Sequence, residues 1–420
     1  MFYEKFDKKL HEIVQEKGHS RIIKRLKEAL PDDNSVWIMY SSENSDPYFG
    51  KFITKKTTAP AVSLVSKETI ALLVHGLDAD NIKNFGNSTI IYNKSSEIST
   101  EIKTFLRHLG FPSNIYLNYS DVMDTATDVL GHGTYQFLYN LIKEFYEKNG
   151  KNVYFHSADF IICTLMDKKS EEDIKYMKLS ANRGLQIIED VFKEIKPGVT
   201  EKEIFNIFHE KFNKKPDYFK SYGIVKEEFA WDKAGCPIVL VGSNLAKGGH
   251  SLPSERTLNP GDTIYFDFGV KLCLDDGRKY SSDLQRMGYV LKDGETHAPD
   301  NVQRVFDTLV EAISLGIENC NPQKRGYEID SIVRNYIINK GYPNYNHSTG
   351  HPVGEMAHSP GTSIAPESSK RSHLFLQENG VYTIEPRIQM ENGGSIEEMV
   401  VVGKSGGQTL CKQQKSLYLI

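Results

Sequence analysis

Apolar positions in the first 165 residues come in short runs separated by amphipathic stretches. Helical spacing near 3–17 and 20–30 precedes the run 35-SVWIMY-40. Further runs follow at 61-AVSLV-65 and 70-IALLVHG-76, the second closed by Gly76. The pattern predicts a helix around 98–109, a strand at 114-NIYLN-118, a helix around 133–148 and a last strand at 153-VYF-155. Apolar runs alternating with helical stretches predict an α/β unit.

The rhythm changes after 165-LMDKKSEED-173, where a domain boundary is expected. Ser170 followed by Asp173 is a capping box, and it opens a helix carrying Ile174, Met177, Ala181, Leu185, Ile188, Phe192 and Ile195 on one stripe. Pro197-Gly198 stops it, and Thr200 with Glu203 caps a second helix that runs to about 214. Two more helices are predicted over 299–318 and 326–340, with strand-like runs at 237–241, 263–270, 285–291, 381–389 and 396–402. Helices flanking a largely antiparallel sheet predict an α+β domain over 170–420, behind a smaller α/β domain over 1–165.

Composition narrows the class. With 39% apolar and 25% charged residues and a net charge of −4, the 420-residue chain has ample core and no basic footprint for nucleic acid. No apolar run is long enough for a bilayer, and the charged start lacks the apolar segment of a secretory signal. The five cysteines, Cys163, Cys236, Cys273, Cys320 and Cys411, are scattered without CxxC spacing and read as reduced thiols. The expected compartment is therefore cytoplasmic, with neither membrane nor nucleic acid as partner.

The first 165 residues offer little chemistry. Isolated histidines at His75, His108, His132 and His156 read as packing or surface residues. The last third is different. Asp267, Asp283, His351, Glu385 and Glu397 follow one another in 265-YFDFG-269, 281-SSDLQRM-287, 347-HSTGHPVGEMAH-358, 383-TIEP-386 and 395-SIEEMVVV-402. Four carboxylates and an imidazole form an oxygen-dominated set suited to first-row divalent cations. Converging carboxylates repel one another unless cations neutralise them, and two divalent ions balance four charges. The set therefore predicts a dinuclear site, of the kind that activates water for hydrolysis.

Local pattern sharpens each candidate. Asp267 shares a strand face with Tyr265 and Gly269, opposite Phe266 and Phe268, and a buried Asp there needs a metal or a salt-bridge partner. Asp283 opens the next strand-like run, after a connection whose Asp275-Asp276-Gly277 reads as a turn. Three histidines fall between 347 and 358. Only one is needed as a ligand, leaving His347 and His358 for proton or hydrogen-bond duty. Glu385 ends a strand before Pro386. Glu397 and Glu398 point to opposite faces of their strand, so one of them can serve the cluster.

Taken together, DFG, SDxxR, a TGHxxG loop with a trailing histidine, TIEP and IEE-plus-valines resemble the family of methionine aminopeptidase, aminopeptidase P, prolidase and creatinase. The resemblance spans nearly the whole chain and is closest to the two-domain, proline-directed branch. It implies a pita-bread catalytic domain behind a creatinase-like N-terminal domain. It implies that Asp267 chelates one ion, Asp283 and Glu397 bridge both, and His351 and Glu385 complete the other. Two divalent ions are expected, manganese first, with cobalt, zinc or iron as alternatives. His250 matches a histidine that contacts substrate near the scissile bond, and His347 and His358 match the remaining active-site histidines.

The implied activity is Xaa-Pro aminopeptidase: attack of a metal-bridging hydroxide on the bond between an N-terminal residue and proline. Glu385 is the expected proton acceptor, with His358 or His250 assisting. A prolidase-like dipeptidase and a non-enzymatic binding protein are the alternatives, and the resemblance implies a homodimer. Three departures stand out. Asp267 and Asp283 are 16 residues apart (283 − 267), Pro352 replaces a glycine after His351, and Ser395 stands where an arginine is common. The missing guanidinium predicts a preference for tripeptides and longer Xaa-Pro peptides over dipeptides, whose carboxylate needs an anchor.

Overall fold

The computed structural model describes residues 22–54, 56–82, 88–121, 127–246 and 251–420. The helix expected at 3–17 lies outside them; of the one expected at 20–30, residues 22–28 are helical. The chain divides into two compact units, Met1–Leu165 and Met166–Ile420. Among the described residues no helix is long and apolar enough to cross a membrane.

The first unit is built on six strands: β1 (Ser35–Ser41), β2 (Ala61–Val65), β3 (Ile70–His75), β4 (Ser88–Tyr92), β5 (Asn114–Leu117) and β6 (Tyr154–Ser157). They lie in the order β4-β3-β2-β1-β5-β6. The pairs β1–β2 and β2–β3 are antiparallel and the others parallel. The helices Ser95–His108 and His132–Lys148 pack Ile98, Ile102 and Phe105, and Leu138, Ile142 and Phe145, onto strand residues such as Val36, Ile38 and Leu64. Two of the histidines here make structural hydrogen bonds. His75 accepts the Leu77 amide, and His156 bonds the Asn114 side chain.

In the second unit both predicted capping boxes form. Ser170 and Asp173 exchange bonds at the start of Glu171–Glu194, and Thr200 and Glu203 do the same for Glu201–Asn213. Twelve strands complete it: β7 (Ile224–Phe229), β8 (Ile238–Val241), β9 (Thr263–Phe268), β10 (Val270–Leu274), β11 (Lys279–Ser281), β12 (Leu284–Tyr289), β13 (Val381–Ile384), β14 (Arg387–Ile388), β15 (Gly394–Ser395), β16 (Glu398–Val402), β17 (Gly407–Thr409) and β18 (Tyr418–Leu419). Apart from β12–β18, every strand pair is antiparallel.

The first helix pair packs on Ile264, Phe266, Phe268 and Leu284. The second pair, Asp300–Asn319 and Gly326–Asn339, packs on Met287, Tyr382, Ile384 and Val400. Helix pairs on two sides of a strand system give the pita-bread α+β architecture expected from the motifs. The fourth strand-like run, 381–389, is split: Pro386 ends β13's path and β14 begins at Arg387.

The run 263–270 is also two strands. A Cβ on Gly269 would sit 2.0 Å from the Ser282 carbonyl, so only glycine lets the chain cross there from β9 into β10. The residues between Asp267 and Asp283 are thus no simple connection. They form the β10–β11 hairpin in a separate sheet, with Asp275 and Asp276 at its turn, where Asp276 pairs with Arg278. This hairpin absorbs the long interval, and β9 pairs directly with β12.

Candidate metal centre

Five chain segments bring the candidate ligands together at one cavity of ≈ 490 Å³. Asp267 comes from the end of β9, and Asp283 precedes β12, which runs antiparallel beside it. His351 and Glu385 meet because their segments are hydrogen-bonded: the Thr383 amide donates to the His351 carbonyl, and the Glu385 amide to the Thr349 carbonyl. A Cβ on Gly350 would fall 2.0 Å from the Thr383 carbonyl, so the histidine loop lies flat on this strand only because residue 350 is glycine. Glu397 enters through an isolated bridge to Gln285, its amide donating to the Gln285 carbonyl.

The five side chains meet. His351 Nε2 lies 3.7 Å from Asp283 Oδ2, 3.5 Å from Glu385 Oε1 and 3.8 Å from Glu397 Oε1. Asp267, Asp283 and Glu397 form one group whose possible ligand atoms all lie within 4.8 Å of one another, and His351, Glu385 and Glu397 form a second. Glu397 belongs to both, which is the arrangement a bridging carboxylate needs. Asp283 also shares a group with His351 and His358. The His358 ring lies 4.2 Å from His351 between centroids, the planes tilted by 33°, closer to ligand position than the division of labour expected from the sequence. His347 lines the same cavity. His250 lies outside the described residues. Pro352 leaves His351 in place, with the Pro352 carbonyl accepting the Ser359 amide.

Electrostatics fit these residues to divalent cations. Neither carboxylate oxygen of Glu397 has a hydrogen-bond partner among the described residues, although the side chain is fully buried. Burial, then the charges of Asp283 and Glu385, push the Glu397 carboxyl far above its usual range. Burial followed by Asp267 and Glu385 does the same to Asp283, and burial followed by Asp267 raises Glu385 to about 8. Such crowding is unfavourable without positive charge between the groups. Burial, then the neighbouring His358, pulls His351 down to about 3, so its ring is neutral with a lone pair to give.

Glu398 takes the other role open to the pair of glutamates. It faces away from the cluster and meets Arg286 at 3.1 Å, both side chains buried. Three cavity residues were not among the expected site residues. Tyr265 donates its hydroxyl to Asp267 Oδ2 at 2.9 Å. Gln285 donates from one amide nitrogen to Asp267 Oδ2 at 3.2 Å and Glu385 Oε2 at 2.9 Å. Arg387 lies in the wall beside Ser395. The period of two could have found the last two, since Gln285 and Arg387 each stand two residues beyond a proposed ligand.

A two-unit chain with a buried acid-and-histidine cluster inside a pita-bread domain defines a metallopeptidase class. Residues 175–404 match the family model described as metallopeptidase family M24, and the chain belongs to that family. Among relatives, the peptidase YqhT of Bacillus subtilis is 30% identical over 60% of this chain and 64% of its own, so the match spans less than two thirds of that relative. The Xaa-Pro dipeptidase of Pyrococcus horikoshii is 25% identical over 92% of this chain and 95% of its own. The crystal structure of the X-Pro aminopeptidase from Thermotoga maritima superimposes with a TM-score of 0.60 at 22% identity, covering 92% of this chain and 97% of its own.

Proposed function

We propose that this chain is a dinuclear metallopeptidase that hydrolyses the bond between an N-terminal residue and proline in short peptides. The observation that carries this is the meeting of five candidate ligands in two groups that share Glu397. The named relatives, one an Xaa-Pro dipeptidase and one an X-Pro aminopeptidase, support the proline preference.

Asp267, Asp283, His351, Glu385 and Glu397 would hold the ions, with manganese first among Mn, Co, Zn and Fe for a donor set rich in oxygen. Bound there, two divalent ions supply a Lewis acid for the peptide carbonyl and lower the pKa of water. The chain's own side chains do the rest. Glu385, on the cavity wall, is placed to accept the proton of the attacking water. His347 and His358 line the cavity as donors to the carbonyl oxygen and leaving nitrogen. A bond to proline has no amide hydrogen to recognise, so selection must rest on ring shape, and Trp231, Ile238 and Tyr265 give the cavity an apolar wall.

Metal analysis of the purified protein, coupled to a screen of Xaa-Pro dipeptides and longer peptides, tests the reading. Two ions per chain and cleavage confined to peptides with proline second are expected. Asp283→Asn should lose both metal and turnover. Fully metallated protein that cuts no peptide would sink the proposal in favour of a binding protein on the same scaffold.

A further inference from the structure

The cavity wall holds a cation that has no counter-ion among the described residues. Four arginines are buried among the described residues: Arg183, Arg286, Arg334 and Arg387. Arg183 meets Glu227 at 2.8 Å, Arg286 meets Glu398 at 3.1 Å and Arg334 meets Asp330 at 2.6 Å. Arg387 stands apart. Only 6% of it is exposed, and among the described residues it joins no ion pair. Its Nη2 donates to the neutral Leu245 carbonyl at 2.8 Å, and its Nε has no hydrogen-bond partner. The guanidinium carbon lies 5.6 Å from the Tyr265 ring centroid, so the plane is steered against an aromatic face.

Position makes this cation useful. Among the described residues, Arg387 is the one lysine or arginine lining the cavity. It pairs with Ser395 across β14 and β15, so the two side chains stand on one face of that ribbon. Ser395 Oγ is committed to the Pro386 carbonyl at 2.9 Å and leaves the space to its neighbour. Arg387 follows the proposed ligand Glu385 by two residues, about 6–7 Å along an extended chain.

A guanidinium taken out of water without a partner is costly, and the anion that matches its planar fork is a carboxylate. In an Xaa-Pro dipeptide the terminal carboxylate follows the scissile bond by one residue, about 3.5 Å of chain. Arg387 shares the cavity wall with Asp267, Asp283, His351 and Glu385, so a short peptide seated on the cluster presents its terminus to the guanidinium. We propose that Arg387 is a specificity-determining residue that binds the C-terminal carboxylate of a short peptide and so directs the enzyme to dipeptides. The inference rests on the peptidase reading above. It reverses the length preference drawn from Ser395, because the guanidinium absent at 395 is present on the facing strand.

The test compares Ala-Pro with its C-terminal amide on the metal-loaded enzyme, and L-proline with L-prolinamide by titration calorimetry. The wild type should favour the acid in both assays by about ten- to a hundredfold, the worth of a hydrogen bond to a charged group. Arg387→Met should abolish that preference, chiefly by raising KM for the acid, with metal content retained. Arg387→Lys should restore part of it. A wild type that treats acid and amide alike overturns the anchor, and does so even if Arg387→Met fails to fold. Acid-selective proline binding that depends on Arg387, in a protein that cuts no peptide, would keep the anchor and remove the reaction.

Discussion

Gln285 stands directly across the β9–β12 ladder from Asp267, and its amide nitrogen reaches Asp267 Oδ2 at 3.2 Å. The same nitrogen reaches Glu385 Oε2 at 2.9 Å, so one side chain ties together two carboxylates from distant segments. It also occupies an oxygen on each, leaving the opposite oxygens to the cluster. Replacing it with leucine should free both carboxylates to rotate. Gln285→Leu is expected to weaken metal affinity by about ten- to a hundredfold, in line with other partners of ligating groups. Turnover at saturating metal should fall far less. Metal titration followed by peptide hydrolysis separates the two, and unchanged affinity would mean the bridge plays no part in shaping the site.

The paired glutamates in β16's approach divide labour in a way that can be measured. Glu397 faces the cluster, while Glu398 is buried against Arg286. Arg286 is held further by the Glu397 carbonyl at 2.7 Å. Truncating Glu398 leaves that guanidinium buried beside backbone carbonyls alone. Glu398→Ala should therefore cost about 3–5 kcal/mol of stability, as broken buried pairs do. Its folded fraction should still bind metal. Glu397→Ala should show the reverse, with lost metal and a smaller change in the apo protein's denaturation midpoint. Urea unfolding with metal analysis tells the cases apart.

Much of this arrangement was legible in the sequence because it depends on local rules. Period-two alternation placed Tyr265 and Asp267 on one face and set Glu397 against Glu398. Capping boxes at Ser170 and Thr200 fixed two helix starts. What the sequence hid depends on contacts between segments. The pattern of Val270–Leu274 does not say that Gly269 redirects the chain into another sheet, since the reason is the Ser282 carbonyl lying against it. β7 was missed because Lys226, Glu227 and Glu228 interrupt its apolar pattern, and buried Glu227 is satisfied by Arg183 from a distant helix. Arg387 escaped notice for the same reason: its value comes from standing opposite Ser395, a pairing set by the tight return between β14 and β15.

The two adjoining histidines should differ in phenotype. His351 Nε2 lies within 3.8 Å of three carboxylates, whereas His358 meets the cluster through Asp283 and the His351 ring. His351→Ala should deplete metal. His358→Ala should retain most of it and lose turnover on the order of a hundredfold, as expected for a missing proton or oxyanion donor. Metal content beside single-turnover rates decides the point. Swapped phenotypes would make His358 the ligand.

Metal and pH should trade against each other in the stability of the protein. Without ions, burial and then Asp267 raise the folded pKa of Glu385 from its ordinary 4.5 to about 8. Asp283 and Glu397 are pushed up as well, each by burial first. The folded apo protein therefore holds protons that the unfolded chain has already released, and stability must fall as pH rises toward 8. His351 acts in the opposite sense, because burial lowers it from 6.5 to about 3, but its contribution is complete once pH exceeds 6.5. Between pH 6.5 and 8 only the carboxylates remain, at about 1.4 kcal/mol per pH unit for each proton retained. The chelator-treated protein should lose thermal stability across this window, and saturating manganese should flatten the profile while releasing protons on binding. Thermal unfolding at several pH values, with and without metal, reads both effects. An apo profile that is flat or rising from pH 6.5 to 8 would show that the carboxylates are not crowded as the structure places them.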